Sequence, residues 1–76
     1  MIDREGMVPL YVQIADDIAA RIQRGELQPN RLIPSENRIT QEYGVARGTA
    51  RKALQLLRDR GLVVTVPGRG TFVKPT

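Results

Sequence analysis

The sequence predicts a mainly α-helical domain that ends in a small β-hairpin. Three segments before Gly61 carry apolar residues at helical spacing. After Gly61 the apolar residues become consecutive and β-branched, and a Pro-Gly-Arg-Gly turn separates two extended runs. Because proline or glycine lies between these segments, the sequence also indicates where each element ends.

The first helix is predicted to begin at Pro9 and to end at Gly25. Proline suits the first turn of a helix, and glycine favours its C-terminal end. An apolar residue recurs every fourth position, which predicts one buried stripe of about four turns. The residues of this stripe are Leu10, Ile14, Ile18 and Ile22. We expect residues 1–8 to form a flexible N-terminal arm and residues 9–76 to form the folded domain.

The second helix is predicted to begin at Ser35 and to end at Tyr43. Two prolines exclude a helix from the connection at 27–34, in which 32–33 form at most a very short strand. A serine at the helix start accepts a backbone N–H bond and so caps the helix. Gly44 then ends it.

The third helix is predicted to follow a tight turn at 44–46 and to end at Arg60. Two short helices joined by a glycine-containing turn have the outline of a helix-turn-helix. Residues 62–66 and 71–74 form the two strands of the hairpin, which turns at 67–70. Three helices followed by such a hairpin predict a winged helix-turn-helix.

Positive charge is concentrated in the last part of the chain, although the net charge is only +4. Residues 1–44 contain five Lys and Arg against seven Asp and Glu, whereas residues 45–76 contain seven against only Asp59. A solubilising surface would mix the two signs. A one-sided surplus is the electrostatic pattern expected of a nucleic-acid-binding domain.

The composition argues against an enzyme. The chain has no histidine and no cysteine, so it lacks the commonest general base, metal ligand and thiol nucleophile. Its eight acidic residues form no cluster that resembles a metal site. We therefore expect no catalytic residues, no cofactor and no metal. No apolar run is long enough to cross a bilayer and no signal peptide is visible, so we expect a cytoplasmic protein with no membrane partner.

The third helix is predicted to bury an apolar side and to present a basic side. Arg47 and Arg51 lie one turn apart at the end that reaches base edges in a recognition helix, and arginine can bind guanine O6 and N7 together. Gly48 leaves the outer side bare, which lets the backbone approach a groove. Thr49 and Lys52 are suited to phosphate contacts. An ordinary solvated helix surface is the alternative interpretation.

The predicted wing tip carries Gly68, Arg69 and Gly70. Glycines let the backbone enter a narrow minor groove, whose negative potential attracts arginine. The same turn is also common in solvent-exposed hairpins, so by itself it does not distinguish a minor-groove contact from an ordinary turn. It is not a nucleotide-binding loop, because no helix N-terminus follows it.

Four blocks, spread in order over almost the whole chain, match a known family. They are Pro9-Leu10-Tyr11-Val12-Gln13-Ile14, Ile33-Pro34-Ser35-Glu36, Gly44-Val45-Ala46-Arg47 with Thr49, Arg51, Ala53 and Leu54, and Gly68-Arg69-Gly70-Thr71-Phe72-Val73. With these blocks the chain resembles the DNA-binding domain of the GntR family of bacterial transcription regulators. The resemblance implies a winged helix that binds operator DNA, usually as a homodimer on an inverted repeat, and usually as a repressor. It also implies that Arg47 and Arg51 contact bases or phosphates and that Gly68 enters the minor groove.

Three positions depart from the family pattern. Asn37 and Arg38 stand where the family usually has Arg and then Glu, which puts the DNA contact at position 37 in doubt and removes a capping box with Ser35. Ala46 replaces the usual Ser or Thr, which removes a helix cap. We expect Arg38 or Asn37 to supply part of the missing contact. The family continues into an effector-binding domain, so this chain is either an excised domain or a regulator that stands alone.

The leading interpretation is sequence-specific binding of double-stranded DNA by a transcription regulator. The alternative is a protein-interaction module on a winged-helix scaffold. An architectural or RNA-binding role is a third possibility, but one Phe and two Tyr provide no stacking platform for single strands. The predicted DNA-binding residues are Ser35, Asn37, Arg38, Arg47, Gly48, Thr49, Arg51, Lys52, Gly68, Arg69 and Gly70.

Overall fold

The computed structural model describes residues 2–75, so Met1 and Thr76 lie outside the described residues. Within that range the chain forms three helices followed by a two-stranded antiparallel hairpin, as the sequence predicted. The elements are α1 (Leu10–Gln23), α2 (Glu36–Tyr43), α3 (Arg47–Asp59), β1 (Val63–Val66) and β2 (Gly70–Val73). In the hairpin, Val63 lies opposite Val73 and Val66 lies opposite Gly70. The fold is therefore a winged helix-turn-helix.

The core lies between α3 and the other elements. Ile14 and Ile18 of α1, Ile39 of α2 and Leu57 of α3 are completely buried. Each such side chain contributes about 1.5–3 kcal/mol through burial. The buried Val63 of β1 extends this core to the hairpin. The packing therefore holds α3 by its apolar side and leaves the opposite side free.

Local chemistry sets the ends of α2 and the start of α3. Ser35 caps α2, because its Oγ accepts a hydrogen bond from the backbone N–H of Arg38 at 3.2 Å. Gly44 ends α2 in the left-handed conformation, with a φ of 63°. Ala46 precedes α3 and supplies no side-chain cap, which is the loss expected from its departure from the family pattern.

The connection between α1 and α2 anchors the hairpin to the body of the domain. Leu32 forms an isolated bridge with Phe72, which corresponds to the very short strand predicted at 32–33. The backbone N–H of Ile33 donates to the Thr71 carbonyl at 2.9 Å. Gly70 has a φ of 120°, and a β-carbon there would lie 2.9 Å from Leu32 Cδ2. The positive φ is the stronger reason for glycine here, because the exposed Leu32 side chain can move aside.

The N-terminal segment 2–8 contains no helix or strand, but it contacts the helices. The backbone N–H of Asp3 donates to Gln13 Oε1 at 2.6 Å, and Gln13 Nε2 donates back to the Asp3 carbonyl at 2.7 Å. The Arg4 guanidinium donates to the Tyr43 carbonyl at 2.6 Å. The segment thus lies against α1 and the C-terminal end of α2, and its flexibility stays a prediction.

A polar network at Tyr43 joins α1 to α2. The Tyr43 hydroxyl donates to Asp17 Oδ2 at 2.6 Å and accepts a longer bond from Arg21 at 3.5 Å. Burial of the ring, assisted by the bond to Asp17, raises the pKa of Tyr43 to about 12 from its ordinary value of 10.0. The neutral phenol is therefore the form that the folded state favours.

This network predicts a loss of stability in alkali. As the pH rises from 10.0 towards 12, the unfolded chain releases the Tyr43 proton before the folded chain does. The free energy of unfolding should therefore fall through that interval. In urea titrations across the interval, Tyr43→Phe should show a shallower fall than the wild type. Tyr11→Phe leaves the network intact, so its free energy of unfolding should fall as steeply as that of the wild type. Equal slopes for Tyr43→Phe and Tyr11→Phe would contradict this assignment.

Candidate nucleic-acid interface

The solvent side of α3 is basic, as its periodicity predicted. Ala50 and Ala53 are completely buried on the inner side. On the outer side, the side chains of Arg47 and Arg51 are 63% and 66% exposed. Both lie in the first turns of the helix, where a recognition helix meets base edges. The surface that remains free on α3 is thus the one with the two arginines.

Glu36, in the first turn of α2, pairs with both arginines. Its Oε1 lies 3.5 Å from Arg47 Nε, and its Oε2 accepts a hydrogen bond from Arg51 Nε at 3.1 Å. Asn37 adds a further contact, because its Oδ1 accepts from the Arg47 guanidinium at 3.1 Å. We call Glu36, Asn37, Arg47 and Arg51 the arginine cluster. One carboxylate therefore orients both exposed arginines before any ligand binds.

Replacing Glu36 with Gln should separate affinity from specificity. The change removes a negative charge from the basic surface, so affinity for random duplex should rise about 2–5-fold. It also removes the ion pairs that orient Arg47 and Arg51. The preference for a target sequence, selected from a random duplex library, over random duplex should therefore fall by a similar factor. The control is Glu26→Gln, which removes the same charge but breaks ion pairs with Arg21 and Arg24, neither of which belongs to α3. Competition binding with the two duplexes measures both effects, and an unchanged preference in Glu36→Gln would contradict the orienting role.

The remaining predicted residues of α3 differ in their surroundings. Lys52 Nζ lies 5.7 Å from the centroid of the Tyr11 ring, which holds it at the α1 edge of the basic surface. Thr49 is half-buried. Gly48 is exposed, and a β-carbon added there would have no heavy atom within 4 Å. Nothing in the described residues therefore explains the glycine at position 48 by internal packing.

The structure brings Asn37, but not Arg38, to the arginine cluster. Arg38 Nε donates to Glu42 Oε1 at 3.0 Å, which directs this side chain along α2. Ser35 lies at the start of α2, immediately before Glu36. Of the two residues expected to supply the missing family contact, Asn37 is thus the one that contacts Arg47.

The wing tip lies beside the start of α2. Gly68 and Gly70 have φ values of 75° and 120°, which are left-handed conformations that favour glycine. Arg69 is exposed, and its backbone N–H donates to the Val66 carbonyl at 3.0 Å to close the turn. Arg69 and Ser35 line a cleft of about 450 Å³ between the wing and α2. Arg69 and Gly70 therefore face the same cleft as the α2 start.

Sequence reasoning missed the role of Glu36. The residue stood within a matched block, but no spacing rule relates it to Arg51, which is 15 residues away. The available signal was an acidic first-turn residue on the helix that precedes a basic recognition helix. Among residues 2–75, no group of three or more acidic side chains is placed to hold a metal ion. No helix in that range is long and apolar enough to cross a membrane.

Comparison with known proteins places this fold among transcription regulators. The family model for "Bacterial regulatory proteins, gntR family" matches residues 10–73. The transcriptional repressor NagR of Bacillus subtilis is 40% identical over 72 residues, which cover 95% of this chain and 30% of NagR. The chain therefore spans less than a third of that relative.

Two solved structures are similar over most of the chain. The DNA-binding domain of AraR in complex with operator ORR3 has a TM-score of 0.84 and 41% identity, and the match covers 96% of this chain and 88% of that one. YtrA from Sulfolobus acidocaldarius, a GntR-family transcription factor, has a TM-score of 0.89 and 39% identity, with coverages of 100% and 65%.

These findings confirm the predicted winged helix-turn-helix fold. They also confirm the family resemblance that the four sequence blocks indicated. The relatives are regulators of transcription rather than enzymes, and one similar domain was solved on operator DNA. They favour the DNA-binding interpretation over a protein-interaction module. Because the family model covers residues 10–73, the chain belongs to the GntR family of bacterial transcription regulators.

Proposed function

We propose that this domain binds a specific sequence of duplex DNA and thereby represses transcription from the promoter that it occupies. The observation that carries the proposal is the arginine cluster, in which Arg47 and Arg51 are exposed one turn apart and oriented by Glu36. The relatives NagR and AraR support it, because one is described as a repressor and the other was solved on its operator.

The residues divide into three kinds of contact. Arg47 and Arg51 read base edges in the major groove, because arginine can donate two hydrogen bonds to guanine. Gly68 and Arg69 enter the adjacent minor groove, where the narrow space and negative potential favour them. The other contacts position the domain on phosphates. These phosphate-binding residues are Ser35, Asn37, Arg38, Thr49, Lys52 and Gly70, while Gly48 admits the backbone to the groove.

We further propose that two copies bind an inverted repeat as a homodimer. The domain measures 34 × 26 × 20 Å, so a single copy covers about one turn of duplex. Two copies related by a twofold axis would place two α3 helices in successive major grooves, about 34–36 Å apart. A regulator that acts on bacterial operators works where the chromosome lies, so we assign the protein to the cytoplasm.

Selection of bound sequences from a random duplex library tests the proposal. We expect an enriched motif with two inverted half-sites whose centres are about one helical turn apart. Recovery of all duplexes to the same extent would show that binding is independent of sequence, which would contradict the proposal and favour an architectural role. An absence of duplex binding even at low salt would favour the protein-interaction module, since a basic domain that binds DNA retains non-specific affinity there.

A further inference from the structure

A second cationic site lies between α3 and the hairpin. The cleft there has a volume of about 290 Å³, and its lining residues are Ser35, Glu36, Arg51, Leu54, Arg58, Thr65, Gly70 and Thr71. We call it the α3–wing cleft. Its one carboxylate, Glu36, pairs with Arg51. Of its two arginines, Arg51 belongs to the arginine cluster, whereas Arg58 belongs to no contact described so far.

Arg58 is half-buried in this cleft without a counter-ion. Its guanidinium donates to Thr65 Oγ1 at 2.8 Å and to Gln55 Oε1 at 3.0 Å, and both acceptors are neutral. No carboxylate among residues 2–75 forms an ion pair with it, in contrast to Arg51, which has Glu36. A guanidinium that contacts only neutral acceptors keeps its charge available to an added anion. The site is therefore one that an external anion would stabilise.

Arg58 and the two threonines also have hydrogen-bond donors that their contacts leave unused. A guanidinium carries five N–H donors, and the two bonds of Arg58 leave others free. Thr65 Oγ1 and Thr71 Oγ1 lie 3.0 Å apart and share one hydroxyl hydrogen, so the second hydroxyl hydrogen can be donated elsewhere. A phosphodiester matches this arrangement, because its oxygens only accept and it carries a negative charge.

We infer that Arg58, together with Thr65 and Thr71, binds a phosphodiester of the DNA strand that separates the major groove from the minor groove. The inference rests on the proposed function, in which α3 occupies one groove and the wing occupies the next. A single sugar–phosphate strand lies between adjacent grooves. That strand must pass between α3 and the wing, where the α3–wing cleft is the available space.

The first test compares two charge-neutralising variants near the end of α3. Arg58→Gln should lose about 5–20-fold in affinity on the selected operator and on random duplex alike, and should reduce the salt slope by about one. Arg60→Gln removes the same charge from a residue that instead pairs with Asp16 of α1, at 2.8 Å. Its affinity should change less than about twofold. Equal losses in the two variants would overturn the inference.

A second test separates phosphate binding from a bracing role for Arg58. Each phosphate of one selected half-site is replaced in turn by an uncharged methylphosphonate. At one position, the replacement should lower the affinity of the wild type and of Arg60→Gln for the duplex by about 5–20-fold. It should leave the affinity of Arg58→Gln almost unchanged. If every methylphosphonate penalty persists in Arg58→Gln, Arg58 only supports the wing and the inference fails.

Two controls keep these outcomes interpretable. If the wild type binds no duplex, the proposed function fails before the inference is reached, whereas operator binding that Arg58→Gln retains rejects only the inference. Thermal unfolding of each variant checks the fold. Should Arg58→Gln not fold, Thr65→Val tests the site by deleting one hydroxyl while preserving the side-chain shape. Wild-type affinity of Thr65→Val for the operator would overturn the inference, because Thr65 would then bind no phosphate.

Discussion

Arg51→Ala is expected to lower affinity for the selected operator by about 5–150-fold, which corresponds to the loss of one bidentate guanine contact. Its effect on random duplex should be much smaller, because only a surface charge is lost there. Arg51 is 66% exposed and projects from the first turns of α3, with Glu36 holding its Nε at 3.1 Å. Sequence preference at one base pair should therefore relax, which competition against single-base variants of the operator measures.

Lys52→Ala is the matched control for that variant. Lys52 is adjacent in sequence, but its Nζ lies over the Tyr11 ring at the edge of the basic surface. We expect affinity for operator and random duplex to fall by the same factor, about 2–5-fold, and the salt slope to decrease by about one. If Arg51→Ala and Lys52→Ala each lowered the affinity for operator and for random duplex by the same factor, the division into base and phosphate contacts would be wrong.

Gly48→Ala is expected to stabilise the free domain and to weaken DNA binding. Glycine within a helix costs about 1 kcal/mol relative to alanine. A β-carbon at position 48 meets no heavy atom within 4 Å, so the free domain has room for it. On DNA, the added methyl group would lie on the exposed side of α3, one turn before Lys52. Overpacking at a close contact costs about 1–3 kcal/mol, so operator affinity should fall about 5–150-fold.

The opposite signs make this variant informative, since a merely destabilised domain would lose both properties. Thermal unfolding measures the first effect, and operator titration measures the second. Gly25, Gly61 and Gly68 also have open space around them, but each has a positive φ, which strains alanine for a separate reason. Increased stability with unchanged operator affinity would show that the backbone at Gly48 does not approach DNA closely.

The helices, their ends and the hairpin could be predicted because their signals are local. A serine before α2 caps it, and Gly44 ends it in a left-handed conformation. The four-residue apolar spacing of α1 gave its buried side, including Ile14 and Ile18. The change from helical spacing to consecutive β-branched residues identified the hairpin. Each of these signals depends on residues within one or two turns of one another.

The pairing of side chains across elements could not be predicted, because it depends on how the elements pack. A helical wheel places Arg58 on the same side of α3 as Arg47, yet the hairpin draws its guanidinium to Thr65. Likewise, Glu36 reaches Arg51 only because α2 lies against the start of α3. Sequence spacing shows which side chains share a helix face, but it does not show which neighbouring element supplies their partners.

The departure at Asn37 illustrates the same limit. The family's arginine is absent there, and its usual Glu is absent at Arg38. In the structure, Asn37 accepts a hydrogen bond from Arg47, while Arg38 pairs with Glu42 on its own helix. We therefore propose that Asn37 compensates by orienting Arg47, in addition to any phosphate contact of its own.

The most direct test of the account follows backbone amide NMR signals while the selected duplex is added in low-salt buffer. The central claim is that the start of α3 and the wing tip bind adjacent grooves of one duplex. The signals of residues 47–52 and 68–70 should shift together along one titration curve, while those of residues 16–24 on α1 should stay in place. A titration that leaves both the α3 signals and the wing signals unmoved would contradict the account.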